Sequence, residues 1–252
     1  MHSILHGLTP DRIDPDPFPH VVVDDALDPA LYRELEAAMP TAETLLLGRP
    51  LENNMPYHYS AGHILAEASP LWREFTRLHT SRAFFAEMVA LFGSTIRALH
   101  PALEARAGKR LDEMKSSIRF VEPFADVALD CQLTYGSPVT RATRCHRVHV
   151  DRQVALYAGL LYFRRPDDDS SGGDLELYRF RGDERAYDAG RHVDDALVER
   201  VKTIPYAANR MAFFLHSPHS LHGVSVRSMT PHPRLHVNFL AELREKVWEL
   251  AA

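Results

Sequence analysis

The chain has 252 residues, of which 45% are hydrophobic and 25% are charged. This composition is ordinary for a globular protein. Its net charge is −5, with no polybasic stripe, so we expect neither nucleic acid nor an anionic membrane as a partner. The chain contains no run of 18 apolar residues, so no membrane span is predicted. The N-terminus does not have the pattern of a signal peptide. The two cysteines, Cys131 and Cys145, are too few for a disulfide framework. We therefore expect a reduced, cytoplasmic protein.

The first 115 residues predict mostly helices after a short strand at 19–23. The first helix has Asp28 as a plausible N-cap, Pro29 in its first turn and Pro40 at its end. The next segment, 41–70, is polar and aromatic and predicts a long loop, of the kind that can cover a site. Helices are predicted over residues 29–39, 70–92 and 95–114.

After residue 115 the pattern changes to short strands separated by turn residues. They are predicted over 117–123, 127–135, 146–151, 155–163, 174–180, 199–204, 210–216, 222–227 and 234–241. This number of strands fits a double-stranded β-helix, or jelly roll. The expected fold is α+β, mainly β, in one domain. The helical section (1–115) packs on the jelly-roll core (116–241), and a C-terminal tail (242–252) follows.

Three residues in the second half form a candidate metal site. His149 and Asp151 are two apart in a predicted strand, so their side chains point to the same face, about 7 Å apart. His222 comes from a later predicted strand, and Arg234 follows 12 residues after it. Two imidazoles and one carboxylate leave three positions of an octahedral metal open, as in the non-haem Fe(II) oxygenases. A zinc site with the same ligands is also chemically possible.

Other histidines compete for these ligand positions. Four lie near His222 in the sequence: His216, His219, His232 and His236. Of the five, His222 is the one that precedes a strand-like segment, 223–226. His146 could replace His149, but no carboxylate sits two residues after it. The sequence therefore favours His149, Asp151 and His222.

The region 131–240 resembles the Fe(II)/2-oxoglutarate-dependent oxygenases of the prolyl-hydroxylase-like branch, in its bacterial small-molecule hydroxylase type. The matching pieces are LTYGSP, HVD, GLLYF, SGGDLELY, HGV and Arg234. The N-terminal segment PFPHVVVDDALDP also resembles the opening of bacterial members.

The resemblance implies a role for five residues. His149, Asp151 and His222 hold iron, and Arg234 pairs with the distal carboxylate of 2-oxoglutarate through its planar guanidinium fork. Tyr135 matches a position that often hydrogen-bonds 2-oxoglutarate, although a packed core tyrosine explains it equally well.

Three further residues bear on this assignment. Gln132 is a rival to Tyr135, but it points to the other face of the predicted strand. Many members have Ser or Thr two residues after the arginine, where this chain has His236, so the second contact to the distal carboxylate stays open. Asp151 argues against a halogenase, which needs the carboxylate position free for halide.

The implied reaction is hydroxylation, or another oxidation, of a substrate C–H bond, with 2-oxoglutarate converted to succinate and carbon dioxide. Arg141, Arg144 and Arg147 directly precede the metal ligands and could bind an anionic group, although a solvated loop is the competing interpretation. With 41–70 as a lid, these arginines favour a small polar or anionic substrate.

Two alternatives come from other functional classes. A cupin-like zinc or manganese enzyme, an isomerase or hydrolase, would use the histidines but would not need Arg234. A non-catalytic jelly-roll binding module would keep the histidines for structural reasons.

Overall fold

A computed structural model describes residues 1–183 and 185–250 of the chain. The α-helices of these residues are α1 (Pro29–Ala37), α2 (Ala42–Leu46), α3 (Ala61–Glu67), α4 (Pro70–His79), α5 (Arg82–Leu99) and α6 (Leu103–Ala107). The strands are β1 (His20–Val23), β2 (Pro56–Tyr59), β3 (Ser116–Ile118), β4 (Val127–Gly136), β5 (Ala155–Tyr162), β6 (Leu175–Phe180), β7 (Val198–Ile204), β8 (Met211–Leu215), β9 (His222–Val224) and β10 (Arg234–Leu243).

The strands form two sheets that face each other. The larger has the order β1-β8-β5-β10-β4-β2, with β3 parallel to the first residues of β4, and the smaller has the order β7-β6-β9. A buried apolar cluster fills part of the space between them: Phe18, Ala158, Leu175, Leu177, Ile204, Ala212 and Phe214. The architecture is therefore a mixed α/β fold with two sheets.

The outer face of the larger sheet packs against the helices. Phe239 of β10 lies 6.1 Å from Phe75 of α4, and Phe213 of β8 lies 5.5 Å from Phe92 of α5, measured between ring centroids. Burial of such rings is the main favourable contribution to packing. Because side chains alternate along a strand, Phe239 faces the helices while Asn238 faces the smaller sheet.

The helical section is more divided than the sequence pattern predicts. The helix expected over 70–92 is two helices, because α4 ends at His79 and Ser81 caps α5 by accepting a hydrogen bond from the Phe84 amide. α5 stops before Pro101, as a residue preceding proline disfavours helical backbone, and only the short α6 follows. Among the described residues, no helix has both the length and the apolar character needed to cross a membrane.

Other predicted boundaries differ more. The segment 41–70, expected to be a loop, contains α2, β2 and α3, and β2 pairs with β4 in the larger sheet. The strands expected over 117–123 and 222–227 end at Ile118 and Val224. The strand expected over 146–151 is reduced to isolated bridges at His149, with His192 and with His222.

Candidate metal centre

His149, Asp151 and His222 lie together, and one ligand atom from each falls within 4.8 Å of the others. Nε2 of His149 lies 3.7 Å from one oxygen of Asp151, and Nε2 of His222 lies 3.6 Å from the other. The two histidines come together because the backbones of His149 and His222 form a pair of hydrogen bonds. The predicted ligand set is thus assembled from an extended segment and from β9.

The tautomers of both histidines are set by backbone carbonyls. Nδ1 of His149 lies 2.8 Å from the Arg147 carbonyl, and Nδ1 of His222 lies 2.9 Å from the Ser220 carbonyl. Because a carbonyl oxygen only accepts, each Nδ1 carries the proton and donates. This hydrogen bond leaves each Nε2, which lies beside the carboxylate, as the nitrogen available to bind a metal.

The charges of the three residues suit a divalent cation. Burial and, next, the nearby His149 lower the pKa of His222 to about 3, so its imidazole is neutral at neutral pH. Burial alone would raise the pKa of Asp151, but His216, His222 and His149 outweigh it and hold that pKa well below its usual range. Two imidazoles and one carboxylate fit Fe(II).

His216 contacts this centre without being one of the three ligands. Its buried Nε2 lies 3.1 Å from Oδ2 of Asp151. The sequence singles it out only as a rival to His222, whose ring lies 6.1 Å away. His216 therefore supports the carboxylate from the end of β8.

Arg234 is buried and only partly satisfied. Its Nε donates to the Gly173 carbonyl at 2.7 Å, and Nη1 donates to Nδ1 of His236 at 3.2 Å. Its Nη2 is buried and has no hydrogen-bond partner among the residues that the structure describes. The guanidinium lies 5.1 and 5.2 Å from the ring centroids of Tyr162 and Tyr206. A buried cationic donor without a partner costs free energy, so this position fits an anionic ligand.

A second buried arginine beside it is already neutralised. Arg227 donates to Asp168 at 2.8 Å and to Ser170 Oγ at 3.1 Å, and it shares the Tyr206 ring with Arg234. The carboxylate of Asp168 compensates the charge of Arg227. Arg234 is therefore the better candidate to hold a carboxylate.

A cavity of about 180 Å³ between the two sheets connects the metal ligands with Arg234. Its walls are apolar near the ligands, with Ala158, Leu160, Leu175 and Phe214. Among the described residues that line it, Asp151 and Arg234 are the ones that carry a charge when the histidines are neutral. His146 and His236 also line it, whereas His219 and His232 do not.

Tyr135 does not reach this cavity. It is opposite Leu235 in the sheet, whereas Arg234 is opposite Gly136, so Tyr135 and Arg234 lie on opposite faces. Tyr135 instead lines a separate cavity of about 590 Å³, together with Phe163. Tyr135 is therefore directed away from the cavity of the candidate ligands, and Thr134 takes the cavity face of β4.

The three arginines expected at the mouth do not line the cavity either. Arg144 forms an ion pair with Asp195 at 3.1 Å, and Arg141 and Arg147 are exposed. Closeness to His149 along the chain thus does not direct these side chains into the cavity, in keeping with the solvated loop that was the competing interpretation.

Residues from the segment 41–70 do reach the cavity. The sequence pattern predicted a loop there but did not indicate which of its residues line the cavity. His58 and Pro56 of β2 line it, as does Asn54 just before that strand. Their signal is weak because an edge strand of four residues, PYHY, has little alternation to reveal its inner face.

The fold is similar to solved structures at low sequence identity. A Pseudomonas putida prolyl-4-hydroxylase has a TM-score of 0.48 at 14% identity, over 90% of this chain and 93% of that one. The non-heme alpha-ketoglutarate-dependent epimerase SnoN from nogalamycin biosynthesis has 0.46 at 15%, over 88% and 76%. A rice dioxygenase for auxin oxidation has 0.42 at 13%, over 89% and 72%. No protein-family model and no curated protein sequence matches the chain.

Proposed function

We propose that this protein is an Fe(II)- and 2-oxoglutarate-dependent dioxygenase with a jelly-roll core. It oxidises a C–H bond of a small polar or anionic molecule, with hydroxylation as the simplest outcome. The observation that carries the proposal is the single cavity that joins two imidazoles and a carboxylate to a buried guanidinium with an unpaired donor. These two features match the two ends of a keto acid that binds iron at one end and carries a carboxylate at the other.

Each residue has a defined task in this proposal. His149, Asp151 and His222 would hold the iron, whose bound form supplies the coupling of oxygen reduction and keto-acid decarboxylation to substrate oxidation. Arg234 would bind and orient the distal carboxylate. The apolar walls, Leu160, Leu175 and Phe214 among them, exclude water around both groups and so strengthen the electrostatic contacts.

The same observation argues against the two alternatives. A zinc or manganese isomerase or hydrolase needs the metal ligands, but nothing in such a site requires the unpaired Nη2 of Arg234. A binding module with structural histidines could pair His149 and His222 with Asp151, but it would not need a buried, unpaired guanidinium donor in the same cavity.

Anaerobic addition of Fe(II) and 2-oxoglutarate is expected to produce a weak visible charge-transfer band, because the keto acid chelates the metal. Asp151→Ala and His222→Ala are expected to abolish it. Asp195→Ala is the matched control, since this exposed carboxylate pairs with Arg144 outside the cavity. If both ligand variants keep the band at wild-type strength, the proposed centre is incorrect.

A further inference from the structure

A row of polar side chains crosses the larger sheet on the cavity face. The register places His58 of β2 opposite Thr134 of β4, and Thr134 opposite His236 of β10. His58 Nδ1 lies 3.1 Å from the Thr134 hydroxyl, so the first two members are hydrogen-bonded to each other. The row therefore begins at the edge strand and ends beside Arg234, which hydrogen-bonds His236.

The two ends of this row differ in what they can bind. The His236 end adjoins Arg234 and belongs to the 2-oxoglutarate position of the proposed function. The His58 end is open, because His58 and His146 both line the cavity and are both exposed at its mouth. Hydroxyl and imidazole groups remain there to receive a substrate.

The charges in the cavity are already balanced without a substrate. In the proposed function, the cavity holds two positive charges from Fe(II) and one from Arg234. The carboxylate of Asp151 and the two carboxylates of 2-oxoglutarate offset them. Desolvation and the nearby Arg49 lower the pKa of His58, which keeps its imidazole neutral. No spare charge remains among the described lining residues, so a buried ionic group of a substrate would have no partner.

The size of the cavity adds a second constraint. Its volume of about 180 Å³ is below the ~300–1,000 Å³ common for small-molecule sites. The co-substrate takes up part of that volume. Only the reacting end of the substrate can then enter, and the remainder stays at the mouth.

We propose that His58 and Thr134, which line the cavity together with His146, bind an uncharged hydrogen-bonding group of the substrate at the cavity mouth. This inference rests on the proposed function and narrows its substrate class from polar or anionic molecules to those that are neutral at the group held in the mouth. His58 is then a specificity-determining residue supplied by the segment 41–70.

Matched sets of small compounds test this directly. We would titrate benzyl alcohol, benzoate and benzylammonium, and the cyclohexyl analogues of all three, into the anaerobic complex with Fe(II) and 2-oxoglutarate. Binding is followed by calorimetry and by perturbation of the visible band. The alcohols are expected to bind at least ~10-fold more tightly than either charged partner, because an unpaired buried charge costs more than a satisfied hydroxyl.

Two variants locate the effect. His58→Phe keeps a ring of similar size but cannot hydrogen-bond, so it should weaken the alcohols roughly tenfold while leaving the band intact. The control combines Arg141→Gln, Arg144→Gln and Arg147→Gln, which should leave every affinity unchanged because these side chains lie outside the cavity.

The outcomes separate the two proposals. A wild-type protein that forms no band overturns the proposed function and this inference with it. A normal band combined with charged compounds that bind as tightly as the alcohols, or with no alcohol binding at all, overturns this inference alone. So does a loss of affinity in the triple arginine variant, or a His58→Phe variant with wild-type affinity for the alcohols.

Discussion

The unpaired donor of Arg234 makes a specific prediction about co-substrate binding. Removing one partner of a buried charge pair costs about 2–5 kcal/mol. Arg234→Ala is therefore expected to raise the dissociation constant of 2-oxoglutarate roughly 30-fold or more, since each 1.4 kcal/mol is about tenfold. Iron affinity should be nearly unchanged, because Arg234 is not among the grouped ligand atoms.

Titration of the visible band with 2-oxoglutarate measures this effect. Arg144→Ala is the control, because this arginine pairs with Asp195 at the surface. A wild-type dissociation constant in the Arg234 variant would contradict the assignment and would move the anchor to Arg227, the other buried arginine.

Sequence spacing selects the candidate metal ligands, and alternation along β4 also marks the face of that strand that lines the cavity. His149 and Asp151 face the same way because they are two residues apart, and that parity holds even though their segment is not a regular strand. All ten residues of β4 are buried, but its sequence alternates, with Asp130, Gln132 and Thr134 on one face and apolar residues on the other. Tyr135 belongs to the apolar face, and the register with β10 places Thr134 on the cavity face beside His236.

At the scale of elements, the turn before β6 positions Arg234. Gly172 and Gly173 both have φ of +76°, in the left-handed region that favours glycine. A Cβ on Gly172 would lie 1.9 Å from the Val226 carbonyl oxygen, so no side chain fits there. The Gly173 carbonyl accepts the hydrogen bond from Arg234 Nε. The turn therefore does more than reverse the chain, because its carbonyl also holds the guanidinium in place.

Gly172→Ala is expected to destabilise the protein and to weaken 2-oxoglutarate binding. The left-handed backbone alone costs alanine about 1–2 kcal/mol, and the collision with Val226 adds to that cost. Gly108→Ala is the matched control, since Gly108 has φ of +64° and nothing within 4 Å of its Cβ position. Urea unfolding and 2-oxoglutarate titration measure both effects. Equal losses of stability in the two variants, with unchanged 2-oxoglutarate affinity, would show that the turn has no role in the site.

The elements that the sequence pattern predicted best are those with a strong internal signal. β4, β5, β6, β7 and β8 lie within one residue of their predicted ends, because runs of apolar and β-branched residues bounded by turn residues mark them clearly. The segment 41–70 was not predicted, because β2 is stabilised by pairing with β4, which lies far away in the sequence. Such tertiary pairing leaves little trace in local composition.

At the scale of the whole molecule, the proposed centre connects separate parts of the fold. His149 and Asp151 lie in the extended segment before β5, His222 is in the smaller sheet and Arg234 is in the larger one. A metal with its keto acid would therefore link both sheets across the cavity. Because the unfolded chain does not hold these residues together, binding should stabilise the folded state by mass action.

Thermal unfolding should show this linkage. At 100 times their dissociation constants, Mn(II) and 2-oxoglutarate should each contribute about 2.7 kcal/mol, and each should raise Tm by roughly 5–10 °C for a chain of this size. Mn(II) replaces Fe(II) because it does not oxidise during heating. Mg(II), which prefers oxygen ligands, should raise Tm less at the same concentration. Asp151→Ala should abolish the Mn(II) shift, whereas Arg234→Ala should keep it and reduce the further increase due to 2-oxoglutarate to about 1 kcal/mol or less. An equal Mn(II) shift in wild type and Asp151→Ala would mean that the metal binds elsewhere. The proposed metal site in the cavity would then be incorrect.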